Sequence, residues 1–396
     1  MVKRMLAGLG ISVMVAAVMA AQGAPEQGAG RGRGAGGGAA PGAQAGGGGG
    51  RAGGAPALTQ EQWDANPKTI EWQDKAKAIA GDDQDLLFDV GIFCKPSRGA
   101  ANNPDRQTLG APNSEPRLPA FPAPVPPQNI GIQRMFDNFY WAGSTYVGAW
   151  IITSDDGYIV YDAMNNAADA RDVIVPAMRE AGMDPTKIRY LVFGHSHGDH
   201  TGGGRHLQRI SGAQAVQHWA DWDAYLRPYQ APGGRTGRGG ATLTDPDDLE
   251  PMTRDIEATD GMELTIGNQE KVTVTLHVMT GHTPGSLAMI VPVKYEGREH
   301  PILIVTAGNA FNSINAMIGG YEHIWRIGLE RQVESVMQAH PNTNMNLLAR
   351  TKYVHENYGK IPRNPLLYGP ERTEKYIEIV RACTRAWMVA SGMTEN

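Results

Sequence analysis

Cysteine is nearly absent from this sequence: the 396 residues contain two, Cys94 and Cys383. So few cysteines exclude the disulfide-rich scaffold that supports many small secreted domains. In an oxidising compartment two cysteines often pair, and this pair would join the N-terminal region to the last predicted helix. The alternative is two buried free thiols, because the sequence does not give the separation that a disulfide requires.

A strong excess of charge is also lacking, since 36 lysines and arginines oppose 41 aspartates and glutamates, for a net charge of -5 at pH 7. This balance gives no reason to expect nucleic acid as a partner. A membrane-spanning helix needs about 20 consecutive apolar residues, and beyond the N terminus no stretch of the sequence approaches that length. The hydrophobic content of 41% is ordinary for a globular protein and sufficient for a sizeable core.

Residues 1–21 have the pattern of a bacterial export signal. Lys3 and Arg4 precede an almost purely apolar stretch, and small residues follow it up to Ala20 and Ala21. Cleavage after either alanine would release a periplasmic or secreted protein with no stable insertion in the membrane. An uncleaved membrane anchor is the alternative, although the apolar stretch is short for a spanning helix.

Glycine is abundant, with 50 residues that are concentrated near the N terminus. Residues 22–57 are mostly glycine and alanine and bury too little apolar area to fold, so they predict a disordered tether. Their Arg-Gly repeats also occur in RNA-binding segments, but an exported protein rarely meets RNA. Residues 58–129 predict an N-terminal extension, which is helical up to about Cys94 and then extended, irregular and proline-rich from 95 to 128.

Residues 130–396 predict the main domain. Short runs of β-branched and aromatic residues, separated by turn-forming residues, indicate strands at 133–136, 139–142, 147–152, 158–161, 190–193, 272–276 and 302–305. The pattern predicts helices at 167–180, 203–210 and 370–390. Strands followed by helices, in two similar halves, favour a two-layer β core with helices outside.

The most informative motif has the form H-x-H-x-D-H and directly follows the apolar run 190–193. It contains His195, His197, Asp199 and His200, which are four potential metal ligands within six residues. The ligands begin where a rigid strand ends, a position that can hold a metal ion and leave part of it open. Imidazole suits zinc, and a catalytic zinc needs about three protein ligands and a water. The alternative is a surface loop that happens to be rich in histidine.

Two further histidines complete the set: His282, within a Gly-His-Thr-Pro-Gly turn after a predicted strand, and His340, before a proline. The predicted ligands form two groups of three, which are His195, His197 and His282 for one ion and Asp199, His200 and His340 for the other. His323 and His355 are the alternatives to His340. Four other histidines have no ligand-like neighbours in the sequence and are interpreted as ordinary polar residues, namely His206, His218, His277 and His300.

This arrangement resembles the metallo-β-lactamase superfamily from Ile130 to the C terminus, and within it subclass three most of all. The features that carry the resemblance are the strand 158–162, the segment 183–188, the motifs HSHGDHTGG and GHTPGS, and the pair His340-Pro341. The resemblance implies an α/β fold, a four-layer αββα sandwich with two zinc ions at one edge, preceded here by the N-terminal extension. Asp162 would support the histidine loop or, alternatively, cap a turn.

Departures from the family pattern bear on the substrate. After the strand 302–305 the family often has a bridging aspartate or a serine, whereas this chain has Asn309 and Ala310. Asn309 is a poor anionic bridge, and Ala310 removes a serine that in the lactamases helps to orient water and the substrate carboxylate. The candidate substrate contacts are then Asn309, Asn312 and Ser313. The segment 227–247 resembles an insertion, either a mobile flap near the site or a plain surface excursion.

The sequence therefore predicts an exported di-zinc hydrolase that acts on a small-molecule substrate. A zinc-bound hydroxide would attack a carbonyl carbon, and Asp199 would orient this nucleophile. Hydrolysis of the β-lactam ring is the favoured reaction, and a lactonase or another ester or thioester hydrolase is the alternative. From other classes, the alternatives are an iron-dependent sulfur oxidoreductase and a non-catalytic metal-binding protein.

Overall fold

The computed structural model of the chain describes residues 58–96, 127–236, 242–305, 313–341 and 347–394. The predicted export signal at 1–21 and the predicted tether at 22–57 lie outside these ranges, as does most of the proline-rich segment 95–128. Within the part of the chain that the structure describes, no helix combines the length and the apolar character needed to cross a bilayer.

The first sheet contains seven strands that lie side by side in the order of the sequence. They are β1 (Asn129–Phe136), β2 (Phe139–Ser144), β3 (Gly148–Thr153), β4 (Tyr158–Tyr161), β5 (Ile188–Val192), β6 (Gln214–His218) and β7 (Ile256–Ala258). Neighbouring strands from β1 to β4 are antiparallel, and those from β4 to β7 are parallel. The parallel strands all end at one edge of the sheet, and the H-x-H-x-D-H motif follows β5 at that edge.

The second sheet contains five strands in the order β12-β11-β10-β9-β8. Their bounds are β8 (Met262–Ile266), β9 (Val272–Val278), β10 (Leu287–Tyr295), β11 (Arg298–Val305) and β12 (Ser335–Gln338). The pairs are antiparallel except for β11 and β12, which are parallel. The GHTPGS motif is the turn between β9 and β10, so the second sheet places His282 at its own edge.

The inner faces of the two sheets share one hydrophobic core. Strand β9 shows the alternation that such packing requires, since Val272, Val274 and Leu276 are buried in this core. Side chains of the intervening residues, including His277, therefore lie on the outer face of the second sheet. Trp150 stacks on Phe139 at 5.3 Å between ring centroids within the same core.

Helices flank the two sheets. They are α1 (Gln60–Asp64), α2 (Pro67–Ala80), α3 (Gln84–Phe93), α4 (167–180), α5 (Gly198–Thr201), α6 (Gly204–Ser211), α7 (Trp219–Gln230), α8 (Pro246–Leu249), α9 (Ile314–Glu330), α10 (Leu347–Glu356) and α11 (Pro370–Ala390). Helices α4, α6 and α7 bury apolar side chains against the first sheet, and α9 and α11 against the second. The predicted αββα sandwich is confirmed.

The segment 227–247 is not one loop, which corrects the sequence-based interpretation. Its first four residues complete helix α7, and its last two begin α8. Residues 237–241 lie outside the described ranges. The C-terminal part is attached to the domain, because Asp245 accepts a hydrogen bond from Arg171 at 2.7 Å and Asp247 pairs with His206 at 2.8 Å.

The N-terminal helices pack on the C-terminal helix and share the outer core of the second sheet. The indole rings of Trp63 and Trp387 meet edge to face at 5.5 Å. Cys94 and Cys383 form a disulfide, so the structure favours pairing over two free thiols. This bond joins residues 289 positions apart and ties the end of α3 to α11.

A buried ion cluster strengthens the same junction. The carboxylate of Asp85 accepts hydrogen bonds from Arg350 on α10 and from Arg372 on α11, the latter at 2.8 Å. The side chains of Asp85 and Arg350 are each 1% exposed. Arg372 also donates to both carboxylate oxygens of Asp83, at 2.6 and 2.7 Å. The N-terminal helices are therefore held by charge pairing as well as by apolar packing.

We expect Asp85→Ala to lower the free energy of unfolding by about 3–5 kcal/mol, because it removes the carboxylate that compensates the buried guanidinium of Arg350. Urea unfolding followed by circular dichroism measures the change. Asp74→Ala is the matched control, since it removes an exposed pair with Lys77 and should cost about 1 kcal/mol or less. Equal losses in the two variants would contradict a stabilising role for the buried cluster.

Candidate metal centre

The H-x-H-x-D-H motif leaves β5 at a point that both sheets hold in place. The backbone N–H of Gly194 donates to Asp162 Oδ1 at 2.9 Å, and its carbonyl accepts from the N–H of Leu287 at 2.8 Å. Asp162 lies at the end of β4, and Leu287 is the first residue of β10. The loop that carries the histidines therefore begins at a fixed junction between the two sheets.

Three imidazole rings from the two motifs converge on one point. The Nε2 atom of His195 lies 3.0 Å from Nδ1 of His197 and 3.0 Å from Nε2 of His282. The remaining side of this triangle, from His197 Nδ1 to His282 Nε2, is 3.1 Å. His195 is buried, His282 is half-buried and His197 is exposed. The triangle therefore has one face in the protein and one toward solvent.

This triangle fits a divalent metal ion. A neutral imidazole has one N–H donor and one acceptor nitrogen. Three ring nitrogens that all point at one another can therefore form few hydrogen bonds within the triangle. Tetrahedral zinc, with bonds of about 2.0–2.1 Å, places its ligand nitrogens about 3.3–3.4 Å apart, which is close to the observed 3.0–3.1 Å. The donor set of three imidazoles is also one that catalytic zinc uses. The geometry and the chemistry of the three side chains thus agree.

The other three predicted ligands form a second group beside the first. Asp199 Oδ2 lies 3.7 Å from Nε2 of His200 and 3.6 Å from Nε2 of His340. The rings of His195 and His200 are 4.1 Å apart between centroids, so the two groups adjoin. The structure therefore brings together all six side chains that the sequence indicated, from both sheets. Their binding of metal stays a prediction.

Hydrogen bonds fix the orientation of two histidines in the second group. Asp162 Oδ2 lies 2.7 Å from Nδ1 of His200, and the carbonyl of Tyr146 lies 2.8 Å from Nδ1 of His340. Each contact places the ring proton on Nδ1 and leaves the Nε2 lone pair directed toward Asp199. Asp162 also adopts a positive φ of 67°, an uncommon conformation for a residue other than glycine. Asp162 therefore supports the histidine loop, which is the first of its two predicted roles.

The electrostatics of the cluster suit cation binding. Burial, and then the surrounding imidazoles, hold the pKa of His195 well below its usual range, so this ring is neutral. Burial acts to raise the pKa of Asp199, but the neighbouring His200, His340 and His197 imidazoles lower this pKa to about 2. Asp199 is therefore an ionised carboxylate among neutral or cationic rings at every pH at which the protein would work.

Asp221 is a site residue that the sequence analysis missed. Its carboxylate is fully buried and accepts three hydrogen bonds, from Ser196 N at 2.8 Å, Thr283 Oγ1 at 2.7 Å and Gly285 N at 2.8 Å. It therefore joins the loop that carries His195 and His197 to the loop that carries His282. In the sequence Asp221 is an acidic residue outside any recognised motif, so no local signal distinguishes it.

Of the three candidate substrate contacts, Ser313 is the one that lies within the described residues. Asn309 and Asn312 lie outside the described residues, as does Ala310. Ser313 is the N-cap of α9, where its Oγ accepts from Ala316 N at 3.3 Å. Its own N–H donates to the carbonyl of Gly281 at 3.1 Å, next to His282. Ser313 therefore stands beside the candidate ligand loop with a hydroxyl proton that can still be donated.

The structure corrects the interpretation of several other histidines. His355 accepts a hydrogen bond from the backbone N–H of Arg134, and His323 pairs with Asp260, so neither replaces His340. Three of the four histidines that were expected to lack ligand-like neighbours have carboxylates within reach: Asp247 for His206, Asp260 for His277 and Glu334 for His300. These partners are distant in sequence, which is why the sequence did not reveal them.

Comparisons with known proteins agree with this architecture. Residues 143–294 match the family model described as the metallo-beta-lactamase superfamily. Among solved structures, the chain is similar to a metallo-β-lactamase from Cronobacter sakazakii, with 19% identity over 68% of this chain and 97% of that one and a TM-score of 0.52. It is also similar to MIM-1 from Novosphingobium pentaromativorans, with 18% identity over 68% and 93% and a TM-score of 0.53. The chain is similar as well to a mutant of FEZ-1 from Legionella gormanii, with 17% identity over 67% of this chain and 97% of that one and a TM-score of 0.50.

Proposed function

We propose, on the premise that this chain carries a metallo-beta-lactamase superfamily domain, that it is an exported hydrolase with two zinc ions. One observation carries this proposal: the nitrogens of His195, His197 and His282 converge at 3.0–3.1 Å from two different sheets. A bound cation explains this arrangement, because three imidazoles so close together can form few hydrogen bonds with one another, whereas all three can coordinate one ion. The second group, around Asp199, supports the second ion.

The chain's own residues position the reaction. Bound zinc supplies Lewis acidity, which polarises a carbonyl group and lowers the pKa of a coordinated water toward about 7. Asp199, ionised because its pKa is about 2, can accept a hydrogen bond from the attacking water and so orient it toward the carbonyl carbon. Asp162 and the carbonyl of Tyr146 hold the rings of His200 and His340, and Asp221 holds the two loops at a fixed separation.

The proposed substrate class is a small molecule with a strained or activated carbonyl, of which a β-lactam is the first choice and a lactone the second. The similarity to proteins named metallo-β-lactamases supports the first choice. Ala310, where those lactamases that the sequence resembles have a serine, favours weak or selective turnover of β-lactams. The disulfide between Cys94 and Cys383 supports export, because such bonds persist in oxidising compartments.

Metal analysis combined with a substrate panel tests the proposal. We expect the purified chain to hold two zinc ions in the candidate centre, and we expect removal of metal by a chelator to abolish hydrolysis, with recovery when zinc is returned. The panel contains a penicillin, a cephalosporin, a carbapenem and several lactones, assayed by steady-state kinetics. Hydrolysis that survives complete removal of metal would overturn the proposal, and a redox-active iron in place of zinc would favour the oxidoreductase alternative.

A further inference from the structure

A third group of potential ligands lies on the outer face of the second sheet, and it shares no residue with the candidate metal centre. Asp260 lies in the turn between β7 and β8, His277 lies near the end of β9, and His323 lies in the middle of α9. Ligand atoms of the three side chains all lie within 4.8 Å of one another. A turn, a strand and a helix thus each contribute one side chain.

Asp260 is the centre of this group. Its Oδ1 atom lies 2.8 Å from Nε2 of His323 and 3.5 Å from Nδ1 of His277. The same oxygen accepts a hydrogen bond from the backbone N–H of Val278 at 2.9 Å, which fixes the carboxylate against the end of β9. The orientation of the group is therefore set by the sheet and not by the loop alone.

His277 gives a second and independent indication of a ligand. Its side chain is 7% exposed, and neither ring nitrogen has a hydrogen-bond partner among the described residues. An unsatisfied buried polar group costs about 1–3 kcal/mol, so native proteins rarely leave one without a partner. Burial lowers the pKa of His277, and the carboxylate of Asp260 opposes this shift. His277 is therefore a buried, neutral imidazole beside Asp260 and His323, with no hydrogen-bond partner among the described residues.

We propose that Asp260, His277 and His323 bind one divalent transition-metal ion of the zinc class, separate from the candidate metal centre. Two imidazoles and one carboxylate form a donor set that zinc accepts with a water as fourth ligand. The side chains of Asp260 and His323 are 49% and 28% exposed, so the ion can enter from solvent and the water has room. The buried His277 closes the inner side of the site.

The ion would join α9 to β9. Helix α9 also supports the loop that carries His282, because Gly281 packs so closely on the backbone of Met317 that a Cβ atom there would lie 2.4 Å from its Cα. Met317 and His323 both lie on α9. The site is therefore a brace for the helix behind the His282 loop, and it takes no part in the chemistry of hydrolysis.

Zinc binding to a full-length chain without the candidate metal centre tests the proposal. In the background His195→Ala/His197→Ala/His200→Ala, isothermal titration with Zn²⁺ should give close to one ion per chain, and the melting temperature should rise with added Zn²⁺. Adding Asp260→Asn or His323→Ala should remove both effects. His300→Gln in the same background is the matched control, because it removes another buried histidine–carboxylate pair, with Glu334, and should leave binding unchanged.

A folded background chain that binds no zinc, or that binds it equally well after His323→Ala, would overturn the proposal. The result does not depend on hydrolysis, so it is distinguishable from a failure of the proposed function. If the background chain does not fold, the single variant His323→Ala in the otherwise unaltered protein replaces it. There the zinc content should fall by one ion per chain with hydrolysis retained, and an unchanged zinc content would contradict the proposal.

Discussion

His282→Ala is expected to lower kcat/KM by at least about 10³-fold while the chain stays folded. Loss of a partner that only orients a metal ligand typically costs 10–100-fold, and loss of the ligand itself should cost more. His282 is the member of the triangle that the second sheet contributes, beside His195 and His197. Because its side chain is half-buried at a loop, truncation leaves no large cavity in the core. Steady-state kinetics and zinc content measure the effect.

His355→Ala is the control for this variant, since His355 accepts a backbone hydrogen bond from Arg134 and lies outside the candidate centre. We expect near-normal kcat/KM and unchanged zinc content for it. Comparable losses of activity in the two variants would mean that His282 acts through the fold. Full activity and zinc content in His282→Ala would show that the triangle is not a metal site.

Asp221→Asn is expected to lower kcat/KM by about 10–100-fold and to weaken zinc binding, although residue size is preserved. The carboxylate accepts on both oxygens, from Ser196 and Thr283 on one and from Gly285 on the other. An amide has a single acceptor oxygen. One of the two ligand loops would therefore lose its hydrogen-bond acceptor and face an NH₂ group instead. The two ligand loops should then separate, with a loss of about 1–3 kcal/mol in the free energy of unfolding.

The dependence of activity on free zinc distinguishes positioning from general destabilisation. If Asp221 positions the ligand loops, Asp221→Asn should need a higher zinc concentration for half-maximal activity, and excess zinc should restore part of kcat. Asp223→Asn is the matched control two residues further along α7, where Asp223 pairs with Arg254 at the surface. An unchanged zinc requirement in Asp221→Asn, or the same shift in Asp223→Asn, would argue against the positioning role.

The strand and helix predictions succeeded where the signal is local. The runs at 158–161 and 190–193 became β4 and β5, and the helix predicted at 370–390 became α11 with the same bounds. Several elements were not predicted, including strands β6, β7, β8 and β10 and helices α7, α9 and α10. Strand β6, Gln214–His218, has polar residues at both ends and at its fourth position, so its pattern is weak. Its pairing with β5 and β7 decides its conformation.

The sequence by itself determined the ligand set of the candidate centre. Four of those side chains lie within six residues after a strand. The other two are His282, in the GHTPGS motif, and His340, before a proline, and each also follows a strand. Strand periodicity and glycine-bounded turns are local properties, and the edge of a sheet gathers the residues that follow its strands. For these reasons sequence spacing was sufficient to indicate which side chains would meet.

Tertiary structure alone decided the contacts between segments that are distant along the chain. Asp221 is 25 residues from Ser196 and 62 from Thr283, and Cys94 is 289 residues from Cys383. The group of Asp260, His277 and His323 is likewise assembled from a turn, a strand and a helix. Whether such side chains meet depends on how sheets and helices pack and in which register, and these features arise from the burial of apolar faces across the whole domain.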